Sequence, residues 1–419
     1  MKKWDKICFI IFICLSAGVR LSSYDEGDAV VIGGFDLFGF VTQIFEYGLL
    51  LYCCYVYRRI LLPYVRYLRF AMPVVLMVLA STMWSVLPAF TFRRGVTLLL
   101  VSLLGYCMGV FFDPAELCEL YVRSMRAVVF LSLFVLAFLR KFGISHGAHA
   151  GAWRGAFYHK NRAGEMMALA FITFALVVPA RLPPVQRWGL AAITLVLLYK
   201  TQASTPIIAI AIVIAAQALW NLLLMRRKAI VGLVLAGYPL VLLAGGMFVI
   251  YSKSFFKLFG KDATFSGRDR LWSGVIDAIK LRPLLGYGYE AFWLEQGGQT
   301  TLTREKTSFV TVHAHNGFLN TLLHVGAVGL ILFLIFLIST LWITVREGRR
   351  THSVQTRWFF SFIVLFGVAN LTESQILESP LLLITMIAFY TSFSIQRAES
   401  FAKPIANSEP LMELRAAYP

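Results

Sequence analysis

Three clusters of residues carry side chains able to do chemistry. The first is Thr311-Val312-His313-Ala314-His315-Asn316-Gly317, ahead of an apolar block. A histidine at a water-facing helix start can carry a proton near neutral pH. His313 and His315 are two apart, so on a helix they diverge, and a shared metal would need ligands from elsewhere. The second is Ser266-Gly267-Arg268-Asp269-Arg270-Leu271-Trp272, where Ser266 can cap a helix and Arg268 can meet an anion at its start. The third is Trp153-Arg154-Gly155-Ala156-Phe157-Tyr158-His159-Lys160-Asn161-Arg162-Ala163-Gly164. Its density of cations and aromatic rings suits a diphosphate or a sugar. Each cluster also has a plain reading, as a helix cap, a clamp to lipid headgroups or an aromatic belt.

The elements that must position these residues are membrane spans. The chain has 419 residues, 58% of them hydrophobic and 15% charged. A soluble domain carries roughly 25% charged residues. The apolar excess is gathered into blocks of roughly 15–25 residues, enough to cross about 30 Å of hydrocarbon. These features exclude a soluble enzyme, a disordered chain and a disulfide scaffold. The expected fold is an all-α polytopic membrane protein of about twelve transmembrane helices. Spans are expected near 7–20, 37–57, 70–87, 95–112, 127–139, 163–180, 188–200, 206–225, 230–251, 317–343, 358–372 and 380–395. The basic N-terminus and Ile7–Val19 read as a first helix that is retained. Six cysteines fall in or beside the early blocks, without metal-binding spacing.

The net charge of +17 comes from short basic clusters between apolar blocks, which marks topology and not nucleic acid. Both termini are expected in the cytoplasm, with the clusters at Arg58–Arg69, Arg226–Lys228 and Arg346–Arg357 inside. Basic groups that break this rule lie outside: Arg93 and Arg94, the 140–162 connection, and the 252–316 loop. An anionic ligand at the outer face would account for them, although a long loop also crosses regardless of its charge. The division is residues 1–251 for nine spans, 252–316 for a large outer loop, 317–396 for three spans and 397–419 for a tail. Within the loop, Leu271, Val275, Ile276 and Ile279 make one stripe of a short amphipathic helix at the membrane surface or under a lid. Pro283, Gly286 and Gly288 form a turn. Gly326 and Gly329 would let a helix or a lipid tail approach closely.

His315-Asn316, nine residues, then Gly326-x-x-Gly329 resembles the motif of O-antigen ligases. Ser266-Gly267-Arg268-x-x-Leu271-Trp272 and Leu285-Gly286-Tyr287-Gly288 are similar to the long periplasmic loop of the wider O-antigen ligase and polymerase superfamily. Trp84-Ser85-x-x-Pro88-x-x-Thr91-x-x-Arg94 looks like its early Trp-Ser-x-x-Pro signature. The resemblance implies a GT-C-like, metal-independent glycosyltransferase of the bacterial inner membrane, with its site at the periplasmic face and no cofactor. Its donor would be an undecaprenyl-diphosphate-linked glycan. The acceptor would be a carrier-linked repeat, for a polymerase, or lipid A-core, for a ligase. Membrane lipids and a chain-length regulator are the expected partners. The Trp153–Asn161 run leans toward an exopolysaccharide polymerase, while His315-Asn316 with its glycines suits a ligase equally. On this reading His315 and Arg268 are catalytic. Arg154, Lys160, Arg162, Arg94, His159, Asn316 and His313 bind the diphosphate or substrate. A polysaccharide flippase is the more distant alternative, disfavoured because few charges lie mid-membrane.

Overall fold

The computed structural model describes residues 3–20, 37–146, 149–176, 183–224, 237, 268–294, 301 and 313–406. Among these there is no strand, only two isolated bridges, Val19 with Phe157 and Ile144 with Trp153. The principal helices are α1 (Lys3–Ser16), α2 (Leu37–Leu61), α3 (Met72–Ala80), α4 (Pro88–Phe111), α5 (Pro114–Phe138) and α6 (Lys160–Leu176). They continue with α7 (Pro184–Lys200), α8 (Ser204–Leu224), α9 (Arg268–Leu281), α10 (Gly317–Thr351), α11 (Val354–Ala369) and α12 (Pro380–Ala406). Every expected span but one has a helical counterpart; 230–251 lies outside the described residues, Gly237 apart.

Six stretches are long and apolar enough to cross a membrane: Phe38–Leu68, Pro88–Phe111, Pro114–Phe138, Ser204–Leu224, Gly317–Thr351 and Pro380–Ser400. The chain is a multi-pass membrane protein. Large apolar side chains point away from the bundle, as with Leu51 at 71% exposure, Phe138 at 73% and Ile214 at 62%. A water-facing surface would not tolerate such a band, whereas lipid does.

Proline and capping residues set the helix starts. Pro88, Pro114 and Pro184 open their helices, where the missing N–H costs nothing. Asp113 and Glu116 close a capping box on α5. That places the start of α5 well before residue 127, because Glu116, Glu119 and Arg123 interrupt the apolar run without interrupting the helix. Glu119 pairs with Arg123 one turn on.

The connections sort onto two ends of the bundle. At one end Arg162 donates to Ala17 O at 2.8 Å, Thr372 meets Thr205 at 2.9 Å and Trp153 N reaches Lys200 O at 2.9 Å. At the other, Lys6 reaches Glu116 at 2.8 Å, Arg349 reaches Leu223 O at 2.8 Å and Ser392 reaches Phe112 O at 2.8 Å. Between the ends, α4 and α12 pack closely through Gly105-x-x-x-Gly109. A Cβ on Gly109 would lie 2.5 Å from Ala388 O.

Helix α10 is broken at Gly326, with φ 65° and ψ −170°. A break inside an apolar bundle frees backbone groups that lipid cannot satisfy. Here the turn after α9 supplies partners. Tyr287 N donates to Leu323 O at 2.8 Å and Gly288 N to His324 O at 3.0 Å. In return Ala327 N donates to Pro283 O at 2.9 Å and Val328 N to Leu284 O at 3.2 Å. The glycine expected to admit a helix or lipid tail therefore admits a stretch of polypeptide backbone. Any Cβ at 326 would collide with Leu284 O, in a backbone region that is essentially glycine-only. Gly326→Ala should destabilise the protein by roughly 3 kcal/mol or more, combining strain with overpacking. Gly151, at φ 86° with open space around it, has only the strain, and its alanine variant should lose about 1 kcal/mol. Thermal unfolding of both variants in detergent, against the parent, checks this contrast.

Candidate functional site

The site forms where three segments meet at the end holding the 370–379 turn. Its base is the residue run ahead of α10. Asn316 caps that helix, its side chain accepting from Phe318 N at 3.0 Å and Leu319 N at 3.1 Å. Gly317 N donates to Asn370 O at 2.9 Å, tying the helix start to the turn. Asn320 then pins the preceding chain. Its Oδ1 accepts from Ala314 N at 3.0 Å and from Trp293 Nε1 at 2.8 Å, and its Nδ2 donates to Glu378.

Held this way, residues 313–316 are not helical. His315 has φ 49°, a left-handed conformation rare for a non-glycine residue and most often met at functional sites. The expectation that the two histidines diverge is therefore corrected. Their rings lie 4.1 Å apart, with His313 Nε2 3.2 Å from His315 Nδ1. Divergence assumed helical spacing, and the cap at Asn316 starts the helix only afterwards. Glu373 Oε2 lies 3.5 Å from His315 Nδ1 and 3.9 Å from His313 Nε2.

The other two segments dock here. From the start of α6, Asn161 Nδ2 donates to Glu373 Oε1 at 2.8 Å. From α9, Trp272 Nε1 donates to Ala314 O at 2.8 Å. Leu271, Trp272, Val275 and Ala278 are buried against Tyr287, Phe292, Trp293, Leu319 and Leu323, with Ile276 and Ile279 partly covered. The apolar stripe of the amphipathic helix thus packs on protein and is turned toward Trp272. Arg268 opens α9 one turn before Trp272; its side chain, like Ser266 and Gly267, lies outside the described residues.

Several expected ligands have other employment. Arg154 is 1% exposed, and its guanidinium donates to Phe142 O at 3.0 Å and Tyr158 O at 3.1 Å, closing the 142–158 loop on itself. Arg162 is buried too, donating to Ala17 O, to Gln375 Oε1 at 2.7 Å and to Ser379 Oγ at 3.2 Å, with Glu165 at 3.3 Å. Arg94 makes a two-pronged pair with Glu290. His159 Nδ1 accepts from Asn161 N at 3.2 Å. These groups build the site's frame, and the buried ones offer a ligand no open donor.

Sequence reasoning missed the acids. None of Glu290, Glu373 and Glu378 is among the residues that the sequence singles out. The available signal was two carboxylates within a short turn that the site's histidines would have to face. Glu378 is held well above the ordinary carboxyl range, first by burial and then by the nearby charge of Glu290. Its folded form therefore keeps a proton that the unfolded chain gives up. Stability from this group is full at acid pH and is lost as pH rises from 4.5 toward the folded value. Glu378→Gln should flatten that slope and gain stability at the alkaline side of the window. Thermal midpoints taken across that pH range for variant and parent measure it.

With this geometry in view, two comparisons bear on what the chain resembles. The O-antigen ligase family model (Wzy_C) matches residues 189–334, a stretch running from α7 through the first half of α10, with His315 and the Gly326 break inside it. Across a longer reach, the chain is 27% identical over 363 residues to the exopolysaccharide production protein ExoQ of Rhizobium meliloti (strain 1021), covering 80% of this chain and 77% of that one. Together they bear out the resemblance to the O-antigen ligase and polymerase superfamily.

Proposed function

We propose that this protein is a glycosyltransferase of the bacterial inner membrane that polymerises exopolysaccharide or O-antigen repeat units at the periplasmic face, from a glycan carried on undecaprenyl diphosphate. The observation that carries the reading is His315, held in a left-handed turn between His313 and Glu373 where α6 and α9 also converge. In the proposed step an acceptor hydroxyl oxygen attacks the anomeric carbon and the bond from that carbon to the diphosphate oxygen breaks. His315 takes the hydroxyl proton. Lys160 and Arg268 neutralise the leaving diphosphate, a charge that a preorganised cation in a dry site stabilises more strongly than water does. No metal has a part in this scheme.

Extension of a polymer is favoured over ligation because the similarity to an exopolysaccharide production protein spans most of the chain, whereas the ligase model covers 189–334 alone. Ligation to lipid A-core is the second reading, supported by His315-Asn316 with Gly326 and Gly329.

Turnover of carrier-linked repeats by the purified protein in detergent is the test, since a flippase has nothing to do there. General-base catalysis is typically worth 10²–10⁴-fold, so His315→Ala should fall by that much, and a loss under about tenfold would remove the base role. Arg268→Lys should also lose most activity, because an ammonium cannot replace a two-pronged guanidinium on a diphosphate. In cells, gene deletion should leave single repeats or no polymer; polymer stranded on its carrier would instead indicate a ligase.

A further inference from the structure

We infer that His313, His315 and Glu373 form a binding site for a borderline transition-metal ion, best matched by Zn²⁺, and that the ion blocks the proton-accepting work of His315. One ligand atom from each residue lies within 4.8 Å of the other two, the only such cluster of histidine, cysteine and acid among the described residues.

The histidine nitrogens stand at the spacing of a coordination polyhedron, and the carboxylate lies a few tenths of an ångström beyond it. Two nitrogens bound to a tetrahedral zinc at about 2.0–2.1 Å are separated by about 3.3 Å. His313 Nε2 and His315 Nδ1 stand 3.2 Å apart, and Glu373 Oε2 is 3.5 Å and 3.9 Å from them. Two imidazoles and one carboxylate with an open fourth position make a donor set that suits zinc and not magnesium or calcium, which demand oxygen. Asn161 Nδ2, on the far oxygen of Glu373 at 2.8 Å, fixes that carboxylate as outer partners of metal ligands do. The side chains of His313 and His315 are 28% and 19% exposed, so an ion can reach them from water.

Coordination would take the lone pair of His315 Nδ1 and release any proton there. The ring's remaining proton then sits on Nε2, and no nitrogen is left to accept one from an incoming hydroxyl. The binding stands on geometry; the block rests on the base role proposed above.

The test uses the full chain in detergent, freed of any affinity tag and stripped by chelator. Titration with Co²⁺ should develop the visible bands of a four-coordinate ion, saturating at one per chain, and Zn²⁺ should displace it. His313→Ala and Glu373→Gln should each abolish the bands while elution on size exclusion stays unchanged. Asn161→Ala, which leaves every ligand in place, should weaken binding by about tenfold or more. Absence of the bands in the parent, or equal binding by the ligand variants, overturns the site. Zn²⁺ should also suppress turnover of carrier-linked glycan, with chelator restoring it and Mg²⁺ without effect. Binding without suppression overturns the block. Activity lost in His315→Ala with no metal bound by the parent leaves the catalytic reading intact and removes only the site.

Discussion

A helix broken inside an apolar bundle must find partners for the backbone groups it frees, and the rest of the site depends on how α10 finds them. The turn Pro283–Gly288 exchanges four backbone hydrogen bonds with α10 on either side of Gly326. That exchange fixes the turn's depth, and the turn in turn carries Tyr289 and Glu290. Tyr289 donates to Leu377 O at 2.7 Å, while its own N–H reaches Ser81 and its carbonyl accepts from Thr91. A single backbone defect thereby ties α3, α4, α10 and the 370–379 turn into one frame. It is the kind of device available only where lipid excludes water, because water would have satisfied the same groups without a second segment.

Around that frame, charge is arranged in opposed pairs: Arg94 with Glu290 and Arg162 with Glu165. Buried ions of this kind are costly unless paired and hydrogen-bonded. The pairing gives the basic residues gathered at this end of the bundle a structural role.

The helix positions were legible in the sequence because apolar blocks of the right length have few alternatives in a membrane. Their limits were less so: α5 begins at Pro114 although its first turns carry Glu116, Glu119 and Arg123, which a hydropathy reading excludes. Asn161 meets Glu373 and Trp272 meets the carbonyl of Ala314, contacts that no spacing in the sequence specifies. What sequence could not tell was which arginines serve the fold. Arg154 and Arg162 sit in a motif rich in cations, yet their guanidiniums are turned to carbonyls and amides of their own chain. Nor could spacing reveal that His313 and His315 share one side, since that depends on a single left-handed residue. The acids were invisible for a different reason: a carboxylate reads as a topology mark until its partner is seen.

The connection between α11 and α12 is short, and most of its polar side chains are committed. Thr372 meets Thr205, Glu373 accepts from Asn161, Gln375 and Ser379 both accept from Arg162, the carbonyl of Leu377 accepts from Tyr289, and Asn370 Oδ1 braces the connection from within by accepting from Gln375 N. Such a link cannot be lengthened by a residue without pulling several anchors out of register together. Diversity in what this end of the molecule handles must therefore arise by exchanging side chains within a fixed scaffold or in connections elsewhere, with this crossing acting as the hub that insertions and deletions leave alone.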